Sequence, residues 1–223
     1  VSRDADLDVD DEEAEDLLEA IEAELIRRRF GRAVRLEVRD SIDETVLQLL
    51  IEEFEVEKHD VYKFNLPLDL TSLFAISSLP LPSLRDTPWP AVTAGRLAAA
   101  SEQDRSIFSV IRERDLLVHH PYESFVTSTQ AFIEEAASDP RVQSIKMTLY
   151  RTSGDSPIAQ SLIRAAERGV QVVALIELKA RFDEAVNVTW AKQLERAGVH
   201  VMYGIVGLKT HVKCALVVRE DGD

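Results

Sequence analysis

A run of alternating strand and helix patterns decides the fold, and from residue 142 to residue 205 it reads VQSIKMTLYRTSGDSPIAQSLIRAAERGVQVVALIELKARFDEAVNVTWAKQLERAGVHVMYGI. Apolar and β-branched runs predict three strands, at 142–150, 170–178 and 199–205. Two helices are predicted between the strands, at 157–168 and 186–197. This alternation is typical of the α/β class, with a mostly parallel sheet, right-handed crossovers and flanking helices.

Local signals set the boundaries of both predicted helices. Ser156 is suited to be the N-cap of the first helix, and Pro157 follows at its first position. A glycine comes directly after each helix, Gly169 after the first and Gly198 after the second. Start and stop signals therefore agree with the apolar pattern.

The part of the chain before residue 105 predicts a small α+β unit. Charged and apolar residues alternate over 33–40, as in a half-buried strand with Val34, Leu36 and Val38 on its buried face. The remaining elements are a helix through Phe54 that begins with a capping box of Ser41 and Glu44, a strand around 61–65 and a short helix from Asp69.

A proline-rich stretch separates these two patterns. Residues 80–90 hold four prolines, which interrupt regular structure and are typical of a linker. We therefore predict one domain at 1–104, ending in a linker of about 80–104, and a second domain at 105–223.

Composition and charge exclude several classes of protein. The 223 residues are 45% hydrophobic, enough for packed cores, yet no apolar run reaches the eighteen or so residues of a membrane span. A single cysteine, Cys214, and an acidic amino terminus without a signal-peptide pattern predict a cytoplasmic protein. The net charge of −14 argues against a general nucleic-acid binder.

The acidic start of the chain permits one metal hypothesis. Acidic residues fall at the offsets of a calcium-binding loop: Asp4, Asp6, Asp8, Asp10 and Glu15. Val9 stands where that loop needs a glycine for its sharp turn. A solvated acidic segment is therefore favoured over a calcium site.

Three residues at intervals of thirty are the candidates for chemistry. Arg151 and Arg181 each follow the carboxyl end of a predicted strand, and such ends share the edge of a parallel sheet where ligands bind. His211, flanked by Lys209 and Lys213, lies in the next loop, just ahead of the apolar run 214–218 that predicts a strand. A strand that starts at His211 would run back antiparallel. The five side chains should therefore meet at one edge.

These residue types suit phosphate chemistry. Arginine grips phosphate oxygens bidentately and lysine adds a point charge. A neutral imidazole can attack phosphorus without bringing negative charge toward the phosphates, which would give a phosphohistidine on His211.

Structural interpretations stand beside these functional ones. His211 could be a structural histidine at the start of a strand, and Arg181 could form a surface ion pair with Asp183 or Glu184. His119 and His120 precede a proline and are expected in a turn, and no further ligands for a metal are evident around them.

Four motifs resemble those of polyphosphate kinases of the first bacterial type: LLVHHPYESF (116–125), YR (150–151), ELKARFDE (177–184) and GLKTHVK (207–213). VRLEV (34–38) and PLDL (67–70) resemble the end of that family's head domain. Residues from about 106 resemble its first carboxyl-terminal domain, which is similar to the phospholipase D fold.

The resemblance implies reversible transfer of the ATP γ-phosphate to inorganic polyphosphate through a phosphohistidine, with Mg²⁺ and in a homo-oligomer. It implies that His211 is the phosphorylated residue and that Arg151 and Arg181 lie at the phosphate and magnesium site. Because a guanidinium has no lone pair for a metal, we expect these arginines to bind the phosphates that hold Mg²⁺.

Two departures from the family limit this expectation. The chain is about a third of the family's length and stops near Asp221-Gly222, a hairpin-turn signal whose return strand is missing. The chain alone is therefore expected to be inactive, with an unfinished sheet edge that favours association.

Two other functions remain open from the sequence. A phospholipase D-like phosphodiesterase would also use a histidine nucleophile, but its motif needs an aspartate where Val218 stands. A binding domain without catalysis would require His211 to be replaceable.

Overall fold

The computed structural model describes residues 1–4, 17–28, 30–204 and 208–221. The acidic stretch with the hypothetical calcium loop lies almost entirely outside the described residues. Two compact units form, one containing Glu19–Thr87 and the other Pro88–Asp223. The divide, at 87/88, lies within the predicted linker of about 80–104, and the assignment of the two parts to domains of a family stays a prediction.

The first unit contains a three-stranded sheet in the order β1-β2-β3, with β1 at Ser2–Arg3, β2 at Ala33–Arg39 and β3 at Val61–Phe64. β2 pairs antiparallel with β1 and parallel with β3. Its helices are α1 (Leu17–Arg28), α2 (Glu44–Phe54) and α3 (Leu73–Ser77). Short 3-10 helices lie at Lys58–Asp60, Leu70–Ser72 and Pro82–Leu84.

The core of this unit lies between β2 and α2. Leu36 and Val38 are buried with Leu47 of α2, as the strand pattern predicts. Val34 was predicted on the buried face but is 45% exposed. Ala33 is buried in its place, because the inward and outward alternation breaks between Ala33 and Leu36, beside an irregular pairing with β1.

The helix through Phe54 is present, but its cap differs from the prediction. Asp43, and not Ser41, is the N-cap of α2, and its carboxylate accepts hydrogen bonds from Thr45 N at 2.9 Å and Val46 N at 3.2 Å. Both residue types cap helices well, so the sequence pattern alone did not separate them. The short helix after Asp69 is confirmed, since the Asp69 carboxylate caps Leu70–Ser72.

The second unit begins with a helical region. α4 (Gly95–Glu102) and α5 (Ile107–Glu113) bury Ala94, Leu97 and Val110 together. This packing explains why the unit includes residues 88–104. A five-residue π-helix, Val126–Gln130, then leads into α6 (Ala131–Ser138).

A four-stranded mixed sheet, ordered β6-β5-β4-β7, forms the centre of the second unit. Its strands are β4 (Val142–Leu149), β5 (Gln171–Ile176), β6 (His200–Tyr203) and β7 (Ala215–Arg219). β4, β5 and β6 are parallel, whereas β7 is antiparallel to β4. The predicted α/β class with a mixed, mostly parallel sheet is confirmed.

The helices α7 (Pro157–Glu167) and α8 (Glu184–Arg196) connect the parallel strands. Both crossovers step in the same direction across the sheet, so right-handed connections place both helices on one face. Buried side chains of the sheet and of these helices supply the core: Ile145, Ala174, Ile176, Leu162 and Leu194.

The predicted boundary signals of these helices are confirmed. The Ser156 hydroxyl accepts a hydrogen bond from Ala159 N at 3.2 Å, with Pro157 at the first position of α7. Gly169 and Gly198 follow the two helices with φ of 89° and 86°, a conformation that glycine adopts at no steric cost.

The far end of β7 is held by Arg219, whose side chain is 8% exposed. Arg219 Nε donates to Asp139 Oδ2 at 2.7 Å, and its guanidinium lies 5.0 Å from the centre of the Phe108 ring. The hydrogen bond to Asp139 raises the pKa of Arg219 above its ordinary value. The end of β7 is thereby joined to the turn between α6 and β4.

Among the described residues, none of the helices combines the length and the apolar composition that crossing a membrane requires.

We expect Asp43→Ala to lower the free energy of unfolding by about 1 kcal/mol, because it removes the acceptor at the start of α2. The control Ser41→Ala should change it by less than about 0.5 kcal/mol, since Ser41 is exposed and lies outside the cap. Urea unfolding followed by circular dichroism measures both. Equal losses would contradict the cap assignment.

Candidate functional site

The loops that carry the predicted residues lie at one edge of the second sheet, the edge formed by the carboxyl ends of its parallel strands. β4 ends at Leu149 and β5 at Ile176, and because these strands are parallel both carboxyl ends lie at this edge. β7 is antiparallel to β4, so the residues that precede it lie at the same edge. Tyr150, Arg151 and His211 therefore come together although they are far apart in sequence.

The strand that follows His211 forms over the predicted apolar run 214–218 and does not extend back to His211. β7 starts at Ala215, and residues 211–214 are irregular. The Thr148 hydroxyl donates to Val212 O at 2.8 Å and accepts from Cys214 N at 2.9 Å. Backbone pairing with β4 reaches Cys214, whose carbonyl accepts from Thr148 N at 2.9 Å. His211 therefore lies in the loop before β7.

The ring of Tyr150 is the common neighbour of the candidate groups. The His211 imidazole meets it edge-on, with ring centres 4.6 Å apart and an interplanar angle of 85°. Lys213 Nζ lies 4.2 Å from the ring centre, and Arg151 Cζ lies 5.8 Å from it. Both distances allow a cation–π attraction, so the aromatic ring positions the lysine and the arginine around the histidine.

These groups border a pocket of about 540 Å³. Arg151, His211 and Lys213 line its polar part, and the wall also includes Leu149 and Ile158. All three polar residues are exposed, so their charged or nucleophilic atoms are open to a ligand from solvent. The pocket offers positive charge and an imidazole in one place.

Arg151 is held by the loop that follows β5. Its Nε lies 2.8 Å from Asp183 Oδ2, and its Nη2 donates to Arg181 O at 3.3 Å. Because the Arg151 side chain is 59% exposed, this ion pair contributes at most about 1 kcal/mol of stability. A phosphate can therefore compete for the guanidinium at small cost.

The remaining two predicted residues occupy different positions. Arg181 is exposed, and its backbone carbonyl accepts the hydrogen bond from Arg151. Lys209 Nζ donates to Lys179 O at 3.1 Å. Neither residue is among the described residues that line the pocket. The structure thus gathers Arg151, His211 and Lys213 at the pocket, whereas Arg181 and Lys209 lie outside its lining.

Three residues that sequence reasoning did not select hold the loops in place. Tyr150 supports the histidine, and Asn187 Nδ2, fully buried on α8, donates to Tyr150 O at 2.7 Å and to Glu177 O at 2.9 Å. The Glu177 carboxylate is also buried and accepts backbone N–H groups. A sequence signal existed for Asn187, a polar residue on the sheet-facing side of a helix.

The pair His119-His120 lies in a turn, as predicted, with a cis peptide bond before Pro121. His120 Nδ1 is 2.8 Å from Glu123 O, and since a carbonyl only accepts, this nitrogen carries the hydrogen. The His120 ring packs edge-on against Phe125 with centres 5.3 Å apart, and Phe125 lines the pocket. The motif therefore shapes the pocket wall.

The described residues contain no group of three or more His, Cys, Asp or Glu side chains that could hold a metal ion. Near the pocket, Asp183 is paired with Arg151 and both oxygens of Glu177 accept backbone N–H groups.

Comparisons with known proteins agree along the chain. The family model described as polyphosphate kinase C-terminal domain 1 matches residues 106–223, and the polyphosphate kinase middle domain matches residues 1–76. The polyphosphate kinase of Mycolicibacterium gilvum is 55% identical over 222 residues, and that of Mycobacterium marinum is 57% identical over 222 residues. Each match covers 100% of this chain and 30% of the relative.

A solved structure supports the same assignment. The polyphosphate kinase of Porphyromonas gingivalis superposes with a TM-score of 0.65 and 28% sequence identity, covering 85% of this chain and 28% of that one. The fold, two family models and the curated relatives point in one direction. The chain belongs to the polyphosphate kinase family.

Proposed function

We propose that the protein containing this chain transfers the γ-phosphate of ATP reversibly to inorganic polyphosphate, through a phosphohistidine on His211. The observation that carries the proposal is the shared pocket of His211, Arg151 and Lys213. The chain spans about 30% of the length of the curated relatives it matches. We therefore assign the complete reaction to the full-length protein and expect the segment alone not to turn over.

The proposed reaction has two displacements at phosphorus. A neutral His211 nitrogen attacks the γ-phosphorus, an N–P bond forms, and the bond to the bridging oxygen breaks so that ADP leaves. A terminal oxygen of polyphosphate then attacks the same phosphorus and the N–P bond breaks, which lengthens the polymer by one phosphate. A covalent intermediate of this kind divides one difficult transfer into two easier displacement steps.

The neighbouring cations suit this chemistry. Charge on the transferring phosphoryl group spreads over its equatorial oxygens, where arginine and lysine stabilise it. Arg151 is oriented by Asp183 and by Arg181 O, and Lys213 by the Tyr150 ring and by His211 O at 2.6 Å. Arg181 and Lys209, which lie outside the pocket lining, would bind phosphates further along the substrate.

Magnesium belongs to this proposal as a partner of the phosphates. When bound, it neutralises part of the triphosphate charge. We assign Arg151 and Lys213 to the phosphates and not to the metal, because their charged groups only donate hydrogen bonds and have no lone pair for a metal ion.

His211→Ala should abolish incorporation of label from [γ-³²P]ATP into the full-length protein, because the nucleophile is gone. In the unchanged protein we expect a label that is stable to alkali and lost in acid, as an N–P bond is. The control His59→Ala removes an exposed histidine of the first unit and should label normally.

Two results would count against this assignment. Acid-labile label in His211→Ala would place the phosphate elsewhere. Hydrolysis of a chromogenic phosphodiester by the unchanged protein, without uptake of phosphate from ATP, would instead favour a phospholipase D-like phosphodiesterase.

Replacing Tyr150 tests the role of the aromatic ring. Tyr150→Leu removes the aromatic surface that contacts His211 and Lys213. We expect phosphohistidine formation to slow about tenfold, the rate loss that corresponds to the free energy of one or two such ring contacts. Tyr150→Phe keeps the ring and should stay within about threefold of the unchanged rate. Rapid-quench labelling measures both, and equal rates for the two variants would remove the ring from the mechanism.

Arg151→Ala should weaken binding of inorganic tripolyphosphate by about 1.5 to 3 kcal/mol, the usual loss for a hydrogen bond to a charged group. Arg181→Ala should cause a loss of binding free energy in the same range if the substrate extends past the pocket. Isothermal titration at two salt concentrations measures the affinities. An unchanged dissociation constant for Arg151→Ala would contradict its assignment to phosphate.

A further inference from the structure

We propose that Glu177 is a positioning residue for phosphotransfer, because its carboxylate fixes the backbone of the loop that presents His211. This inference rests on the proposed function of His211. Glu177 follows β5 directly and is only 5% exposed. It does not line the pocket among the described residues, so it acts through the loop and not on the phosphate.

Both oxygens of the carboxylate are used by backbone amides. Oε1 accepts from Lys179 N at 3.0 Å, and Oε2 accepts from Thr210 N at 2.6 Å. The second contact joins residues 33 apart in sequence, and Thr210 is the residue immediately before His211. Each of the two backbone N–H donors is therefore matched by one carboxylate oxygen as acceptor.

The backbone of Glu177 is itself hydrogen-bonded on both sides of its side chain. Glu177 N donates to Leu149 O at 2.9 Å, and Glu177 O accepts from the buried Asn187 amide at 2.9 Å. The same amide nitrogen donates to Tyr150 O at 2.7 Å. The loops after β4 and β5 are thus joined at the residue that holds the histidine loop.

His211 is clamped from both sides along the chain. Glu177 holds Thr210 on one side, and the Thr148 hydroxyl holds Val212 O at 2.8 Å on the other. The imidazole packs on Tyr150, whose carbonyl is tied to Glu177 through Asn187. Releasing the Glu177 contact would leave the loop with a hinge directly before the nucleophile.

Small displacements at this position matter for rate. In-line attack needs the nitrogen about 3 to 3.5 Å from phosphorus, and a misplacement of 1 Å can cost about 100-fold. A supporting shell of locked hydrogen bonds is the usual means of holding such geometry. The buried carboxylate supplies that support for the imidazole without contacting the substrate.

Glu177→Gln in the full-length protein tests the inference. Glutamine keeps the size and one acceptor oxygen but points an NH₂ group at the other amide N–H. We expect phosphohistidine formation at saturating ATP to slow about 10- to 100-fold, while the ATP dissociation constant changes by less than about threefold. A larger effect on binding than on rate would overturn the proposal.

Glu135→Gln is the matched control. Glu135 Oε2 accepts from Ile107 N at 2.9 Å, so it is also a carboxylate that holds a backbone amide of the second unit, but it does not line the pocket of His211. A general loss of packing would slow both variants equally and would overturn the positioning role. We expect only the change at Glu177 to slow phosphorylation.

Hydrogen exchange supplies a readout that does not depend on catalysis. In Glu177→Gln, the peptide spanning 208–214 should exchange its amide hydrogens at least about tenfold faster, while the control keeps the unchanged rate. Unchanged exchange in Glu177→Gln would overturn the inference even if His211 is phosphorylated. If instead His211→Ala refutes the phosphohistidine, faster exchange still identifies Glu177 as the loop anchor.

Glu177→Asp provides a second variant if the glutamine protein unfolds. It keeps the charge and shortens the side chain by one methylene, so the carboxylate retracts from Thr210 N. A smaller slowing of phosphorylation and a smaller rise in exchange at 208–214 are expected. Suppose that folded Glu177→Asp protein exchanges faster at 208–214 but is phosphorylated at the unchanged rate. That result would contradict the proposed link between the Glu177 contact and phosphorylation of His211.

Discussion

The pairing of β4 along both of its edges is the constraint on which the site depends. β5 runs parallel to β4 on one side and β7 runs antiparallel on the other. One strand thus brings together the loop after β4, the loop after β5 and the loop before β7. The Arg219 contact with Asp139 holds the far end of β7, so this register is fixed at both ends.

The site consists of exposed side chains that can bind phosphate and buried side chains that hold the loops carrying them. Arg151, His211 and Lys213 are exposed around the Tyr150 ring, where phosphate can reach them. Beneath them, Glu177 and Asn187 form hydrogen bonds almost entirely with backbone groups of the same loops. Flexible cations adapt to a polyanion, whereas buried hydrogen bonds fix the direction from which the imidazole approaches.

Sequence reasoning succeeded where the signal was local. Ser156, Pro157 and Gly169 mark the ends of α7 because capping and φ preferences act within a few residues. It was wrong where two residues carried equivalent local signals, as at Ser41 and Asp43. The apolar run 214–218 located β7, but no local pattern reveals that the Thr148 side chain binds Val212 O and Cys214 N, which lie 64 and 66 positions away.

The sequence by itself determined the α/β class, the strand and helix order of the second unit and the candidate residues Arg151, Arg181, Lys209, His211 and Lys213. Periodicity, capping residues and chemical type are all written along the chain. Only the tertiary structure decided which candidates share the pocket, and that Tyr150, Glu177 and Asn187 support them. The contacts of Glu177 with Thr210, of Asn187 with Tyr150 and of Tyr150 with His211 join residues 33, 37 and 61 positions apart. Their geometry depends on sheet register and on side-chain burial, which no local pattern encodes.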